Sequence, residues 1–340
     1  MGKNDLKVAF TYVGAVVGAG FASGQELVKF FVIFQNYGQW GTIITGGLFA
    51  FLGAVVIMLV NKLESKDYGQ LLKNIFPYKI YKFMDITIAI SLWLGVGVML
   101  AGSSTLLKEW LHLSTIIGFI ITAILVFFCL QLGSKGLLNT NTVLVPFLII
   151  LAIGCSMLQI IKPVLYLNEE IKIQSLLPNW WIASLLYVAY NMILGIVVIA
   201  SIKEKKERLT PWGGIIGGLL LGVMSFIMVK GLLLLPGNLL MVEMPMLVLT
   251  SRINPLVGKV YGIALWIALF TTALANAHSL TIRISNKTKR SYKKILAIII
   301  ISTFCFIPWR FSMLVGFIYP IEGYLAIPII IGIIIAVFRY

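Results

Sequence analysis

The chain has 340 residues, 60% of them hydrophobic and 11% charged, with a net charge of +15 and a mean hydropathy of +1.00. That profile lies far from a soluble globular protein and describes a polytopic membrane protein. The lysines and arginines collect in loops on one side, so the charge reports topology and not a nucleic-acid partner, and it places both termini in the cytoplasm.

A membrane-spanning helix needs about 20 apolar residues. Reading along the chain gives about ten such segments, near 8–34, 40–60, 83–107, 115–133, 142–161, 180–202, 212–235, 257–282, 293–309 and 312–338. The first is the most unusual. Val8 to Val17 and Leu27 to Phe34 are mostly apolar, yet between them stands Gly18-Ala19-Gly20-Phe21-Ala22-Ser23-Gly24-Gln25-Glu26. Each glycine costs a helix about 1 kcal/mol relative to alanine, and irregular backbone at membrane depth survives only inside protein or beside a water-filled cavity. The run therefore predicts a helix that stops at Gly18 and restarts near Ala22.

Plainer readings of this run also exist. Gly14-x-x-x-Gly18 and Gly20-x-x-x-Gly24 have the spacing of close helix packing, but a packing face has no need of Ser23, Gln25 and Glu26. A dinucleotide loop would follow a strand, and none precedes it. Lys3 and Lys7 before an apolar run imitate a secretory signal, whereas here the apolar segment resumes at Leu27 and many spans follow.

Residues 61–82 read as a lysine-rich cytoplasmic loop. Cys129, Cys155 and Cys305 sit in apolar runs without metal-ligand spacing and read as packing residues. The connection 162–179, with Pro163 and Pro178, divides a single membrane domain into halves of five spans, 1–161 and 180–340. An odd number of spans per half makes the second half enter the membrane from the opposite side, which is the condition for an inverted repeat. The repeat predicts a second interruption in the sixth span, at Tyr190-Asn191 and Gly195. Further on, Val242 to Leu249 is too short to span and reads as an outer cap. Pro320, Glu322 and Gly323 predict that the tenth span starts near Ile321 after a short outer helix.

The glycine run 18–26, the Tyr190-Asn191 span, Thr271-Thr272, Tyr319-Pro320 and Gly323-Tyr324 together resemble the YkvI-like bacterial membrane proteins. Those in turn look like distant members of the amino acid/polyamine/organocation superfamily. The resemblance covers essentially the whole chain. It implies an all-α LeuT-like five-plus-five inverted repeat with broken helices 1 and 6. It also implies an alternating-access transporter in the bacterial cytoplasmic membrane, with solute held between those two helices.

A broken helix presents free N–H groups suited to a carboxylate and free carbonyls suited to a cation. The backbone of Ala19, Gly20 and Phe21 is the expected carboxylate site, with Ala22, Ser23 and Gly24 beside it and Tyr187, Tyr190 and Asn191 shaping the remaining surface. Glu26, an intramembrane carboxylate, is a functional hypothesis by default, as a proton relay or a partner for a cationic group. It also fits as a dipole-favoured residue of the restarted helix, paired with Lys29 at i+3.

Ala268, Thr271 and Thr272 fall on one helical face. The resemblance implies a sodium site there, joined by the carbonyls of Gly14 and Val17. Alternatively, each threonine hydroxyl bonds back to its own helix. Phe21 stands where sodium- and chloride-dependent relatives use an asparagine for a second sodium, so that second site is not expected. Span five has no lysine of the sort some proton-coupled relatives use, while His278 keeps a proton reading open. The expectation is a sodium-coupled symporter of an amino acid or related small amine-bearing solute in the lipid bilayer, with no other cofactor. Its rivals are a proton-coupled transporter and a non-transporting solute sensor on the same scaffold. An enzyme is disfavoured, since no catalytic cluster is in reach of one apolar cavity.

Overall fold

In a bilayer every backbone polar group must be satisfied within the protein, which restricts this composition to helices. The computed structural model describes residues 3–65, 68–132, 141–163, 176–202 and 209–339, and every regular element among them is helical. The first span is divided into α1 (Lys3–Val16), α2 (Ala19–Ser23), α3 (Gln25–Phe30) and a 3-10 turn at Val32–Phe34. There follow α4 (Asn36–Lys62), α5 (Tyr68–Ile75), α6 (Tyr78–Leu111), α7 (Thr115–Leu132) and α8 (Asn141–Ile161). The second half holds α9 (Trp180–Ile202), α10 (Trp212–Leu233), the short α11 (Gly237–Leu240) and α12 (Pro245–Ile253), α13 (Pro255–Thr288), α14 (Tyr292–Ser302) and α15 (Phe311–Arg339).

Among the described residues eight helices are long and apolar enough to cross a membrane: α4, α6, α7, α8, α9, α10, α13 and α15. The first and ninth expected spans are built from shorter pieces, the ninth as α14 followed by a 3-10 turn at Thr303–Phe306. Most of the dividing connection 162–179 lies outside the described residues.

Three expectations need correction. The loop 61–82 contains a helix, α5, and Pro77 starts α6 at Tyr78, earlier than expected. The sixth span is not interrupted: α9 is continuous. Its Asn191 amide works along the helix, Nδ2 donating to the Tyr187 carbonyl at 3.0 Å. Gly195 makes room for Tyr12, whose ring would stand 2.8 Å from a β-carbon there. The tenth span likewise runs unbroken through Pro320 and Pro328. Gly323 marks close packing and not an end, since a β-carbon there would lie 2.8 Å from the Leu186 carbonyl oxygen of α9.

The helices pack in two groups. α1, α4, α9 and α10 form one, with α10 against both α4 and α1; α6, α7, α13 and α14 form the other, with α13 along α6. α15 joins them by packing on α9, α6 and α4, and α12 covers one end by resting on α2, α3, α8 and α13. α2 and α3 thus lie between the groups, where the site forms. Within the second group Arg283 pairs with the Asp85 carboxylate and also donates to the Asp85 carbonyl at 2.5 Å.

Candidate functional site

The glycine run opens the helix twice. Gly18 N–H donates to Val16 O at 3.0 Å, and the next helical bond runs from Ala22 N–H to Gly18 O at 3.1 Å. Among the described residues the carbonyls of Gly14, Ala15 and Val17 consequently have no backbone donor, and the N–H groups of Ala19, Gly20 and Phe21 no backbone acceptor. The helix resumes at Ala19, earlier than expected, and turns again at Gly24, where φ is +82°. Only glycine adopts that conformation at little cost, and a β-carbon would meet Met246 of α12 at 2.7 Å.

Side chains pin the short α2 segment in place. Tyr261 Oη of α13 donates to Ala22 O at 2.5 Å. Ser23 Oγ donates to Gly20 O at 2.6 Å and accepts from Gln25 N–H at 3.2 Å. The irregular backbone is held as a fixed feature between the two helix groups.

Beside the break lies a cavity of about 230 Å³, lined by residues 14–20, Glu26, and parts of α6, α8, α9, α13 and α15. It reaches past Gly14, which is exposed, and Leu194, while Thr272, Ala275 and Asn276 on the facing α13 are half-buried. The opposite side is shut: Phe21, Phe30, Phe31 and Tyr187 are at most 1% exposed. Tyr187 collects the rings of Phe31 at 5.0 Å, Phe30 at 5.3 Å and Phe49 at 6.1 Å. The cap seals the same side, where Gln25 Nε2 donates to Val242 O.

Two buried carboxylates face the cavity. Glu26 accepts a hydrogen bond from Tyr190 Oη, and its Oε1 lies against Gly20, 2.1 Å from where a β-carbon would stand. Glu322 of α15 also lines the cavity, beside Ser91 of α6 and within the field of Glu26. Between them Tyr190 and Tyr319 stack with centroids 5.0 Å apart. Lys29 does not pair with Glu26. Its stem crosses Gly316 of α15, in the field of Glu243 and Arg310.

Of the residues expected to bind solute, Ala19, Gly20, Tyr190 and Asn191 line the cavity, whereas Phe21, Ala22, Ser23, Gly24 and Tyr187 are buried behind its wall. Of the expected sodium ligands, Gly14, Val17 and Thr272 line it, and Ala268 and Thr271 do not. Thr271 Oγ1 donates to Ile267 O at 2.8 Å and Ala268 O at 3.2 Å, bonding back to its own helix. Sequence reasoning missed Glu322, Tyr319, Ser91 and Asn276 as site residues. The available signal was Glu322, the lone acidic residue in the apolar run 312–338.

No family model matches the chain. It is 28% identical over 329 residues to the uncharacterised membrane protein YkvI of Bacillus subtilis (strain 168), covering 95% of this chain and 93% of that one. Among solved structures it matches inward-facing Mhp1 with a TM-score of 0.63 at 12% identity, covering 95% of this chain and 73% of Mhp1. It matches MhsT in complex with L-phenylalanine with a TM-score of 0.59 at 17% identity, covering 92% of this chain and 80% of MhsT. At such identities the likeness shows the fold alone, the one that MhsT and Mhp1 share. The chain is a homologue of the membrane protein YkvI and has the LeuT-type fold of secondary transporters.

Proposed function

We propose that this protein is a secondary transporter, a sodium-coupled symporter of an amino acid or related small amine-bearing solute, working by alternating access in the bacterial cytoplasmic membrane with both termini inside. The observation that carries this reading is the cavity at the broken helix, accessible along α1 and shut beyond the break. In the topology read from the basic loops, that open side is the cytoplasm. MhsT, which shares the fold, binds L-phenylalanine.

Sodium coupling is supported by the break itself. Gly14 and Val17, whose carbonyls have no backbone donor among the described residues, line the cavity together with Thr272 of α13. Swinging α1 towards α13 gathers these hard oxygens around a cation. Rocking one helix group against the other around a fixed solute site is the expected transport cycle.

The experiment is uptake of labelled amino acids and amines into proteoliposomes, with and without a sodium gradient. Accumulation driven by sodium is the expected result, and Thr272→Ala should weaken sodium-dependent binding more than sodium-free binding. Solute binding without accumulation under any ion gradient sinks the transporter reading. Equal loss in both conditions makes Thr272 merely structural.

A further inference from the structure

Glu26 and Glu322 approach the cavity from different elements, α3 and α15, and are 5% and 8% exposed. No lysine, arginine or histidine lines the cavity among the described residues. Two carboxylates withdrawn from water without a cation are costly in their charged form, and ionisable groups kept inside an apolar site mark a function by default. A second, independent feature points the same way. The Tyr319 hydroxyl belongs to a side chain 7% exposed, lines the same cavity and has no hydrogen-bond partner among the described residues. It lies 3.3 Å from where a β-carbon of Gly20 would stand, a point that is also 2.1 Å from Glu26 Oε1.

The position of Glu26 also bears on what the solute carries. Its carboxyl already fills the space over Gly20, at the start of the segment whose free N–H groups suit a carboxylate. The protein thus supplies its own carboxylate where an amino acid would bring one. A mainly apolar wall from Ile88, Leu92, Met99 and Ile193 suits an organic body more than a bare metal ion.

We infer that Glu26, Glu322 and the Tyr319 hydroxyl form a binding site for an organic ammonium group, so that the solute is an amine without a compensating carboxylate. Both carboxylates accept from the ammonium, Tyr319 completes its hydrogen bonds, and the apolar wall takes the carbon skeleton. This rests on the transporter reading and narrows its solute class.

Binding to the purified full-length protein, measured by thermal stabilisation and by calorimetry, distinguishes the possibilities with a matched set. The probes are 3-methylbutylamine, L-leucine, which adds a carboxylate to that amine, and 3-methyl-1-butanol, which replaces the ammonium with a hydroxyl. The amine should bind at least about tenfold more tightly than either of the others. Glu322→Gln should remove that preference and Glu322→Asp should restore part of it. Tighter binding of L-leucine, no preference for the amine, or no binding by any of the three overturns the site. If Glu322→Gln does not fold, the comparison on the unaltered protein still decides. Gradient-driven uptake of L-leucine without amine preference defeats this inference and leaves the transporter reading standing. Amine binding without uptake under any gradient does the reverse.

Discussion

Gly20 is where the break has least room for a side chain. A β-carbon would overlap Glu26 Oε1, but that oxygen is the far end of a flexible side chain and can move. Gly20→Ala should therefore leave the unfolding free energy within about 1 kcal/mol of that of the unaltered protein, because no backbone must shift. It should displace the Glu26 carboxyl from the Tyr190 hydroxyl and weaken solute binding by about tenfold or more. Parallel melting and binding curves measure both effects; a loss of stability without a loss of affinity would show the glycine to be a packing residue. Glu26 was legible in the sequence because a carboxylate inside an apolar run has few reasons to be there. Glu322 has the same property, but its neighbours Pro320 and Gly323 suggested a helix end, and the backbone signal obscured the side-chain one. Which aromatics touch the cavity was not legible, since Tyr187 and Tyr190 lie on one helix less than a turn apart and only packing decides that Tyr190 faces inward.

At the scale of elements, α4 and α10 pack backbone against backbone. A β-carbon on Gly46 would stand 2.8 Å from Gly222 Cα, and one on Gly218 2.1 Å from Ala50 N and 2.4 Å from Phe49 C. Membrane helices gain no hydrophobic advantage from leaving lipid, so such small-residue seams hold them by dispersion contacts. Gly218→Val must push two backbones apart and should destabilise by about 3 kcal/mol, the upper part of the range for overpacking. Gly47→Ala, one position from the seam and exposed with nothing within 4 Å of the new methyl, should be neutral or slightly stabilising. Melting of both variants in one detergent tests the seam, and equal effects would mean that the glycines are not its cause. The positions of eight of the ten expected spans were legible from apolar run length alone, since hydrocarbon thickness fixes that length. The continuity of α9 was not. Polar residues at Tyr190-Asn191 resemble a break in one dimension, whereas in the fold the Asn191 amide bonds to the Tyr187 carbonyl and leaves the ladder intact.

At the scale of the whole molecule, the closed side is held through one carboxylate. Glu243, just before α12, accepts from Arg310 Nε at 2.7 Å, from Ser312 N–H at 2.8 Å and from Ser312 Oγ at 2.9 Å. The Arg310 side chain is 66% exposed, so that ion pair contributes little by itself. The bonds to Ser312 matter more, because they bring a negative charge to the positive end of α15. The same cap is tied to the broken first span by the bond from Gln25 to Val242. Closure over the break thus joins α12, α15 and α3, while α1 at the other end leaves Leu6, Lys7, Phe10 and Thr11 exposed. If the two ends belong to one two-state equilibrium, weakening one closure must strengthen the other. Glu243→Gln keeps the shape and removes the charge, and should speed amide hydrogen exchange across α12 and the first turn of α15 by about tenfold. The same variant should slow exchange in α1, whose N-terminal half becomes covered as the opposite side opens. Faster exchange in α12 with no change in α1 would show that the cap is a local latch, and that the helix groups do not rock as units about the break.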